Sequence, residues 1–243
     1  MIRENFTLRY SSLFSFVPRK SYANYEFNIS DRNELDRAYE LMQVLKNDRE
    51  VRVDEKSENF IEYIARYIKK NLNEKEFATK FSFFSNDALL IPIPKSTLMK
   101  GNTLWVPKRI VLELEKQGLG RYTDLLERIS PVNRSSTSLP ADRPKPEDHY
   151  KSTRIKDAFI DVGKNTTFVL VDDVITRGST LLGSANRIID FWNNVEIYGF
   201  AVFRTVSNFR DFKKLLDHKT GKIEYRPETK DTIRIDYLEV SGF

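Results

Sequence analysis

The stretch FVLVDDVITRGST, from Phe168 to Thr180, constrains this chain more than any other part of it. Four apolar residues form a run short enough for a strand buried on both faces, and they lead directly into two carboxylates and a loop of small and hydroxyl residues. From Ser179 to Trp192, the positions Leu181, Leu182, Ala185, Ile188, Ile189 and Trp192 mark one face of a helix, and Val195 to Phe203 supplies a further apolar strand. Strand, tight loop, helix and strand in this order predict a right-handed βαβ unit of a parallel sheet. Ligands of such sheets bind beyond the carboxyl ends of the strands, where a helix N-terminus offers free N–H groups and a positive dipole end. Gly178 lets the backbone approach phosphate oxygens, and Thr176, Ser179 and Thr180 add hydroxyl groups. Adjacent carboxylates repel a phosphate laid directly against them, so Asp172 and Asp173 are expected to face sugar hydroxyls or a hydrated Mg²⁺. An acidic half beside a phosphate half suits a ligand carrying a ribose and a terminal phosphate.

The remainder of the chain reads as further α/β structure. Loose alternation of Phe6, Leu8, Tyr10, Leu13, Phe14 and Phe16 predicts one or two strands before Pro18. Asp31 with Glu34 resembles a capping pair for a helix ending near Lys46, and Phe60, Ile61, Ile64, Ala65, Ile68 and Leu72 form the stripe of a second helix over 54–72. Ala88 to Ile93 predicts a buried strand, followed by the loop PKSTLMKGN and a helix over 104–115 with Pro107 in its first turn. Ser130 to Thr153 has no apolar periodicity and predicts a long loop, which in compact domains is often a lid. Ile155 to Val162 suggests a strand, the spacing of Phe209, Phe212, Leu215 and Leu216 a helix, and Ile223 to Tyr225 and Thr232 to Val240 two final strands.

Composition narrows the chemistry. The 243 residues include no cysteine, which excludes disulfides, thiolate metal sites and a cysteine nucleophile, and the two histidines, His149 and His218, exclude a zinc site built on several His ligands. No apolar run approaches the roughly 18 residues needed to span a bilayer, so no membrane role is expected and a cytoplasmic location is the default. Net charge is +5, with 40 Lys and Arg interspersed among 35 Asp and Glu. This leans weakly toward an anionic ligand; nucleic acid is weakly supported, because no clustered basic stripe is present.

The apolar strand, the Asp172-Asp173 pair and the Thr-x-Gly-x-Thr pattern at Thr176, Gly178 and Thr180 resemble the signature of the type I phosphoribosyltransferases. The resemblance implies a central parallel β-sheet flanked by helices, with Thr176, Arg177, Gly178, Ser179 and Thr180 on the 5′-phosphate of phosphoribosyl pyrophosphate. It places Asp172 and Asp173 on the ribose hydroxyls and, through water, on Mg²⁺. Upstream, IPIPKSTLMKGN looks like the pyrophosphate loop of the competence-protein ComF-like branch, making Lys95, Ser96 and Lys100 the pyrophosphate-side residues and Lys95 a catalytic candidate beside the two acids. A cis peptide near Lys95-Ser96 is a further expectation of that likeness. The segment 130–153 corresponds to the flexible loop that closes over substrate, with Arg143, Lys145, Lys151 and Arg154 reaching pyrophosphate on closure. The likeness covers Ala88 to Phe203 well, the preceding helices weakly, and the first thirty and last forty residues not at all. The expected organisation is therefore 1–80 as N-terminal strands and helices packed on the core, 81–207 as the core and 208–243 as a C-terminal helix and strand extension.

By the same resemblance the expected reaction is transfer of the phosphoribosyl group to a nitrogenous base with release of pyrophosphate, and a homodimer is the family's common assembly. The alternative is a non-catalytic regulator that binds phosphoribosyl pyrophosphate or a nucleotide, in a role linked to DNA uptake or processing. An apolar strand ending in Asp-Asp also occurs in P-loop ATPases, but the chain lacks GxxxxGK[ST]. A response-regulator receiver carries its acids near the start of the domain, whereas only 70 residues follow Asp173 here.

Overall fold

A computed structural model describes residues 1–26, 28–98, 101, 103–133, 143–156, 162 and 166–237. Its centre is a seven-stranded sheet built from β1 (Leu8–Phe16), β4 (Leu89–Pro92), β5 (Arg121–Tyr122), β8 (Thr167–Ile175), β9 (Glu196–Thr205), β10 (Lys219–Arg226) and β11 (Asp231–Asp236). The strands lie in the order β11-β10-β1-β9-β8-β4-β5. From β1 to β5 every pairing is parallel, and β10 and β11 add an antiparallel hairpin to the β1 side. The chain therefore has the α/β architecture expected from its strand and helix pattern.

The parallel centre is apolar because helices cover both faces. On one face pack α1 (Ile29–Lys46), α2 (Phe60–Asn71), α3 (Lys75–Phe81) and α4 (Val106–Lys116), burying Leu45, Ile61, Ile64, Phe81 and Ile110 against Leu90, Val169, Val171 and Phe200. On the other face α6 (Ser179–Ile189) buries Leu181, Leu182, Ala185 and Ile188 over Phe168, Leu170 and Ala201. Each Leu, Ile, Val or Phe among them contributes about 1.5–3 kcal/mol when fully removed from water, so burial decides which way each element faces. The short α5 (Pro146–Lys151) lies on α6 at Gly183, where a Cβ would stand 2.5 Å from the Pro146 carbonyl oxygen and 2.8 Å from His149 Cβ. Beside it, β6 (Leu126–Arg128) pairs with β7 (Thr153–Ile155) in a separate antiparallel ribbon.

Several elements differ from the sequence expectations. Asn28, rather than an Asp31 and Glu34 pair, caps α1 by accepting from the Asp31 N–H at 2.8 Å, and Glu34 instead accepts from the Leu215 N–H. The region 54–59 is not helical: Asp54 and Glu55 take positive φ and turn β2 (Glu50–Val53) into β3 (Lys56–Asn59), after which Asn59 caps α2. Two consecutive residues at positive φ suit a tight hairpin, a geometry that the Asp-Glu pair does not advertise. Phe209 to Leu216 has helical spacing but forms only a 3-10 turn at Phe209–Asp211, because Leu215 pairs its carbonyl with the Ser15 N–H at 2.9 Å. The 130–153 segment contains α5, and the strand expected over 155–162 is β7 ending at Ile155; residues 157–161 lie outside the described residues.

Candidate functional site

Parallel strands end at one edge of the sheet, and β8 carries the acidic pair there. Its pairing with β9 runs on through Asp172, opposite Ala201, to Ile175, so both acids belong to the strand rather than to the loop after it. Both are half-buried, and the Asp173 N–H donates to Asp172 Oδ1 at 2.8 Å. Burial and the adjacent Asp173 charge push the Asp172 carboxyl well above the usual carboxylate range. Lys46, the last residue of α1, places Nζ 3.0 Å from Asp173 Oδ2. Burial works against its charge, but the two acids outweigh it and raise the Lys46 amine above the ordinary lysine value. Sequence reading missed Lys46; a cation in the last turn of a helix is commonplace, and nothing local points across 127 positions to its acid.

The loop after β8 opens α6. Gly178 sits at the N-cap with φ +87, and a Cβ there would lie 2.6 Å from Ile223 Cδ1 of β10. Its backbone conformation and the closeness of β10 both require glycine. The hydroxyls of the loop are engaged: Thr176 with Thr205 Oγ1 at 3.1 Å, Ser179 with Thr232 Oγ1 at 2.9 Å and with Asp231 Oδ1 at 3.4 Å, and Thr180 with His149 Nε2 at 3.3 Å. Arg177 pairs through Nη1 with the Asp231 carboxylate. Arg234 donates to the carbonyls of Ile175, Thr176 and Thr205 at 3.2, 2.9 and 2.8 Å, fixing the loop backbone from β11. Asp231, Thr232 and Arg234 are thus parts of the site that the sequence pattern did not indicate.

β4 ends beside β8, with the Ile93 N–H donating to the Val171 carbonyl at 2.9 Å, so Pro94, Lys95 and Ser96 emerge at the same edge. The Lys95 ammonium donates to the Leu104 carbonyl at 2.9 Å, and the Ser96 carbonyl accepts from the Val132 N–H at 2.8 Å. Trp105 Nε1 donates to the Ile93 carbonyl at 2.8 Å, and Arg128 Nε donates to the Lys95 carbonyl at 2.9 Å. Arg128 is only 3% exposed, has no carboxylate partner among the described residues, and burial lowers its guanidinium to about 10. The Lys95-Ser96 peptide is trans, correcting the expected cis bond, and Lys100 lies outside the described residues.

The lid candidates divide. Lys145 Nζ donates to the Thr229 carbonyl at 2.8 Å, joining the start of α5 to the β10–β11 turn. Lys151 and Arg154 pair with Glu147 at 3.2 Å and Glu127 at 2.7 Å, while Arg143 has a buried Nε without a partner among the described residues. His149, 3% exposed, has an unpartnered Nδ1; burial first, then the Arg128 and Arg177 charges, lower it to about 3, so it stays neutral across ordinary pH. Its role beside Thr180 had no sequence signal beyond the scarcity of histidine.

No group of three or more acidic or His side chains that could hold a metal occurs among the described residues, and no helix there is long and apolar enough to cross a membrane. Asp172 and Asp173, the second of them paired with Lys46, are by themselves too few donors for an all-protein Mg²⁺ cage, so a hydrated ion would meet them only through water.

No family model matches the sequence, and no curated protein matches it. Among solved structures, it is similar to a hypoxanthine phosphoribosyltransferase from Staphylococcus aureus in two crystal forms. The orthorhombic form shares 15% identity over 63% of this chain and 70% of that chain, with a TM-score of 0.29. The tetragonal form shares 12% identity over 60% of this chain and 75% of that chain, with a TM-score of 0.30.

Proposed function

We propose that this chain has the type I phosphoribosyltransferase fold, binds phosphoribosyl pyrophosphate with Mg²⁺, and transfers the phosphoribosyl group to a nitrogenous base in the cytoplasm. The observation that supports this is the meeting, at one sheet edge, of the half-buried Asp172-Asp173 pair with a helix-opening loop that carries Thr176, Gly178, Ser179 and Thr180. Carboxylates accept from the two ribose hydroxyls, while N–H groups and hydroxyls at a helix N-terminus take the 5′-phosphate. The finer placement in the ComF-like branch rests on the Pro92-Ile93-Pro94-Lys95 opening of the neighbouring loop.

In the proposed reaction a nitrogen lone pair of the base forms a bond to C1 of the ribose as the C1–O bond breaks, and pyrophosphate leaves with the electron pair. Positive charge builds on the ring and negative charge on the leaving group. Groups that bind the second more tightly than the intact ester accelerate the step. Lys95 would supply that by leaving the Leu104 carbonyl it now meets, and Arg143, Lys145, Lys151 and Arg154 are the cations that a closing lid would add. Bound with the ligand, Mg²⁺ would neutralise pyrophosphate charge, with Asp172 and Asp173 reaching it through water.

Calorimetry tests the site: Mg²⁺-dependent binding of phosphoribosyl pyrophosphate is expected, and undiminished binding after Asp172→Ala with Asp173→Ala would count against it. The binding-only reading is favoured by one observation, the pairing of Asp173 with Lys46. Pyrophosphate release across a panel of bases decides between them, and silence with every base would select the regulator.

A further inference from the structure

The pairing of β4 with β8 ends where the Ile93 N–H meets the Val171 carbonyl, so the sheet fixes the roots of the two loops that follow but not their tips. Arg128, at the end of β6, reaches the first loop: Nε donates to the Lys95 carbonyl at 2.9 Å and Nη2 to the Pro94 carbonyl at 3.5 Å. Its Nη1 donates to Ser152 Oγ, just past α5, and Ser152 Oγ donates to the Asp148 carbonyl. α5 is in turn keyed to α6, the helix that the second loop opens. His149 Nε2 lies 3.3 Å from Thr180 Oγ1, and Arg187 Nη2 donates to the Tyr150 carbonyl at 2.6 Å. A series of contacts therefore runs from Pro94 through Arg128, Ser152 and α5 to Thr180. Arg128 and Ser152 are only 3% and 4% exposed. A guanidinium buried without a carboxylate among the described residues is costly, and simple packing there would be served by an apolar side chain.

Resting on the reading of Thr176 to Thr180 as the phosphate loop and of Lys95 and Ser96 as part of the pyrophosphate loop, we propose that Arg128 is a positioning residue. It sets the span between the two loops, so that one ligand carrying both groups is held at both ends at once. A two-headed ligand gains over its separate halves through the effective concentration of the second head at its loop, which is highest when the span is fixed and matches the ligand. A span fixed before binding also removes an ordering cost that the ligand would otherwise bear. The place calls for the planar fork of arginine, because donors in fixed directions meet the Lys95 and Pro94 carbonyls on one side and Ser152 on the other. Lysine has the same charge but no fork, so it keeps the attraction for anions and loses the span.

The test is calorimetry on the full chain at constant Mg²⁺, in the wild type and in Arg128→Lys, with phosphoribosyl pyrophosphate titrated directly and ribose 5-phosphate and pyrophosphate by competition against it. The quantity read is the factor by which phosphoribosyl pyrophosphate affinity falls, divided by the product of the factors for the two halves. A quotient of about ten is expected. A cation acting only at a distance, or a loop loosened only locally, weakens each half in its own right and gives a quotient of about one. Partial unfolding weakens all three ligands alike and brings the quotient below that. Either result would overturn the role of Arg128 and leave both loops standing. No binding of phosphoribosyl pyrophosphate by a wild type that melts cooperatively would overturn the loop reading and this proposal together. Should Arg128→Lys not fold, Ser152→Ala decides, because it removes only the α5 end of the bridge: a quotient of about three is expected, and one no greater than unity would refute the span.

Discussion

The acidic pair and the phosphate loop are almost consecutive in sequence, yet opposite ends of the chain close them. Asp173 is met by Lys46 from α1, and Arg177 by Asp231 from the C-terminal hairpin. The acidic half is a charge problem: two carboxylates share a half-buried strand end, and Asp172 is pushed toward neutrality. The phosphate half is a shape problem, with a left-handed glycine, a buried neutral imidazole and a tightly apposed hairpin. Substitutions should therefore act through sterics in one half and through charge in the other.

The sharpest break is Gly178→Val. A branched side chain at φ +87 meets three atoms of Ile223 within 2.9 Å, which sets backbone strain and overpacking together. The expected cost is on the order of 4 kcal/mol, a fall in melting temperature of about 12 °C, with phosphate affinity lost. Calorimetry and thermal melting check it, and retained affinity would place the phosphate elsewhere.

His149 gives the next largest effect and the pH dependence of this half. Its folded value of about 3 lies below the ordinary 6.5, so its contribution is fully present above pH 6.5 and is lost as pH falls toward 3. Between those limits the wild type should lose stability more steeply than His149→Gln, by one additional proton taken up on unfolding. Denaturant melts across that range measure it; parallel slopes would mean the imidazole titrates in the folded state as it does in water.

In the acidic half, the same chemical change at neighbouring positions should give opposite signs. Asp172 has a raised folded value, so its ionisation costs stability as pH rises through that value. Asp172→Asn is expected to raise stability at pH 8 by about 1 kcal/mol, a gain that disappears in acid. Asp173→Asn removes the partner of Lys46, whose side chain is 38% exposed, and solvent limits the loss to about 1 kcal/mol. Both should weaken phosphoribosyl pyrophosphate binding. A shared sign in melts at pH 8 would show that Lys46 does not distinguish the two acids.

How far these halves were legible follows from which forces are local. The βαβ unit around Asp172 announces itself because buried parallel strands need unbroken apolar runs, and α6 because its apolar stripe has helical period. Gly178 was legible as a close approach of backbone, and its left-handed φ of +87 is what the structure adds. Lys46, Asp231 and Arg234 could not be read, since long-range charge pairing leaves no periodic trace. The 54–59 hairpin was hidden by residues ordinary in helices, and the 209–216 segment by a helical spacing that tertiary pairing with Ser15 overrides. The cis bond expected at Lys95-Ser96 came from likeness rather than from physics, and the trans peptide there is held through the Lys95 carbonyl by Arg128.

The smallest effect concerns whether the lid cations belong to the phosphate half at all. Arg154 pairs with Glu127 across the β6–β7 ribbon, with side chains 61% and 36% exposed, so Arg154→Ala should change stability by less than about 0.5 kcal/mol. A role on pyrophosphate would nevertheless appear in binding, because the ligand would have to draw the guanidinium from Glu127. Phosphoribosyl pyrophosphate affinity should then fall about fivefold, while ribose 5-phosphate, which has no pyrophosphate to reach, binds unchanged. Equal loss with both ligands would trace the effect to a shifted ribbon rather than to a contact, and no loss with either would confine Arg154 to its surface pair with Glu127.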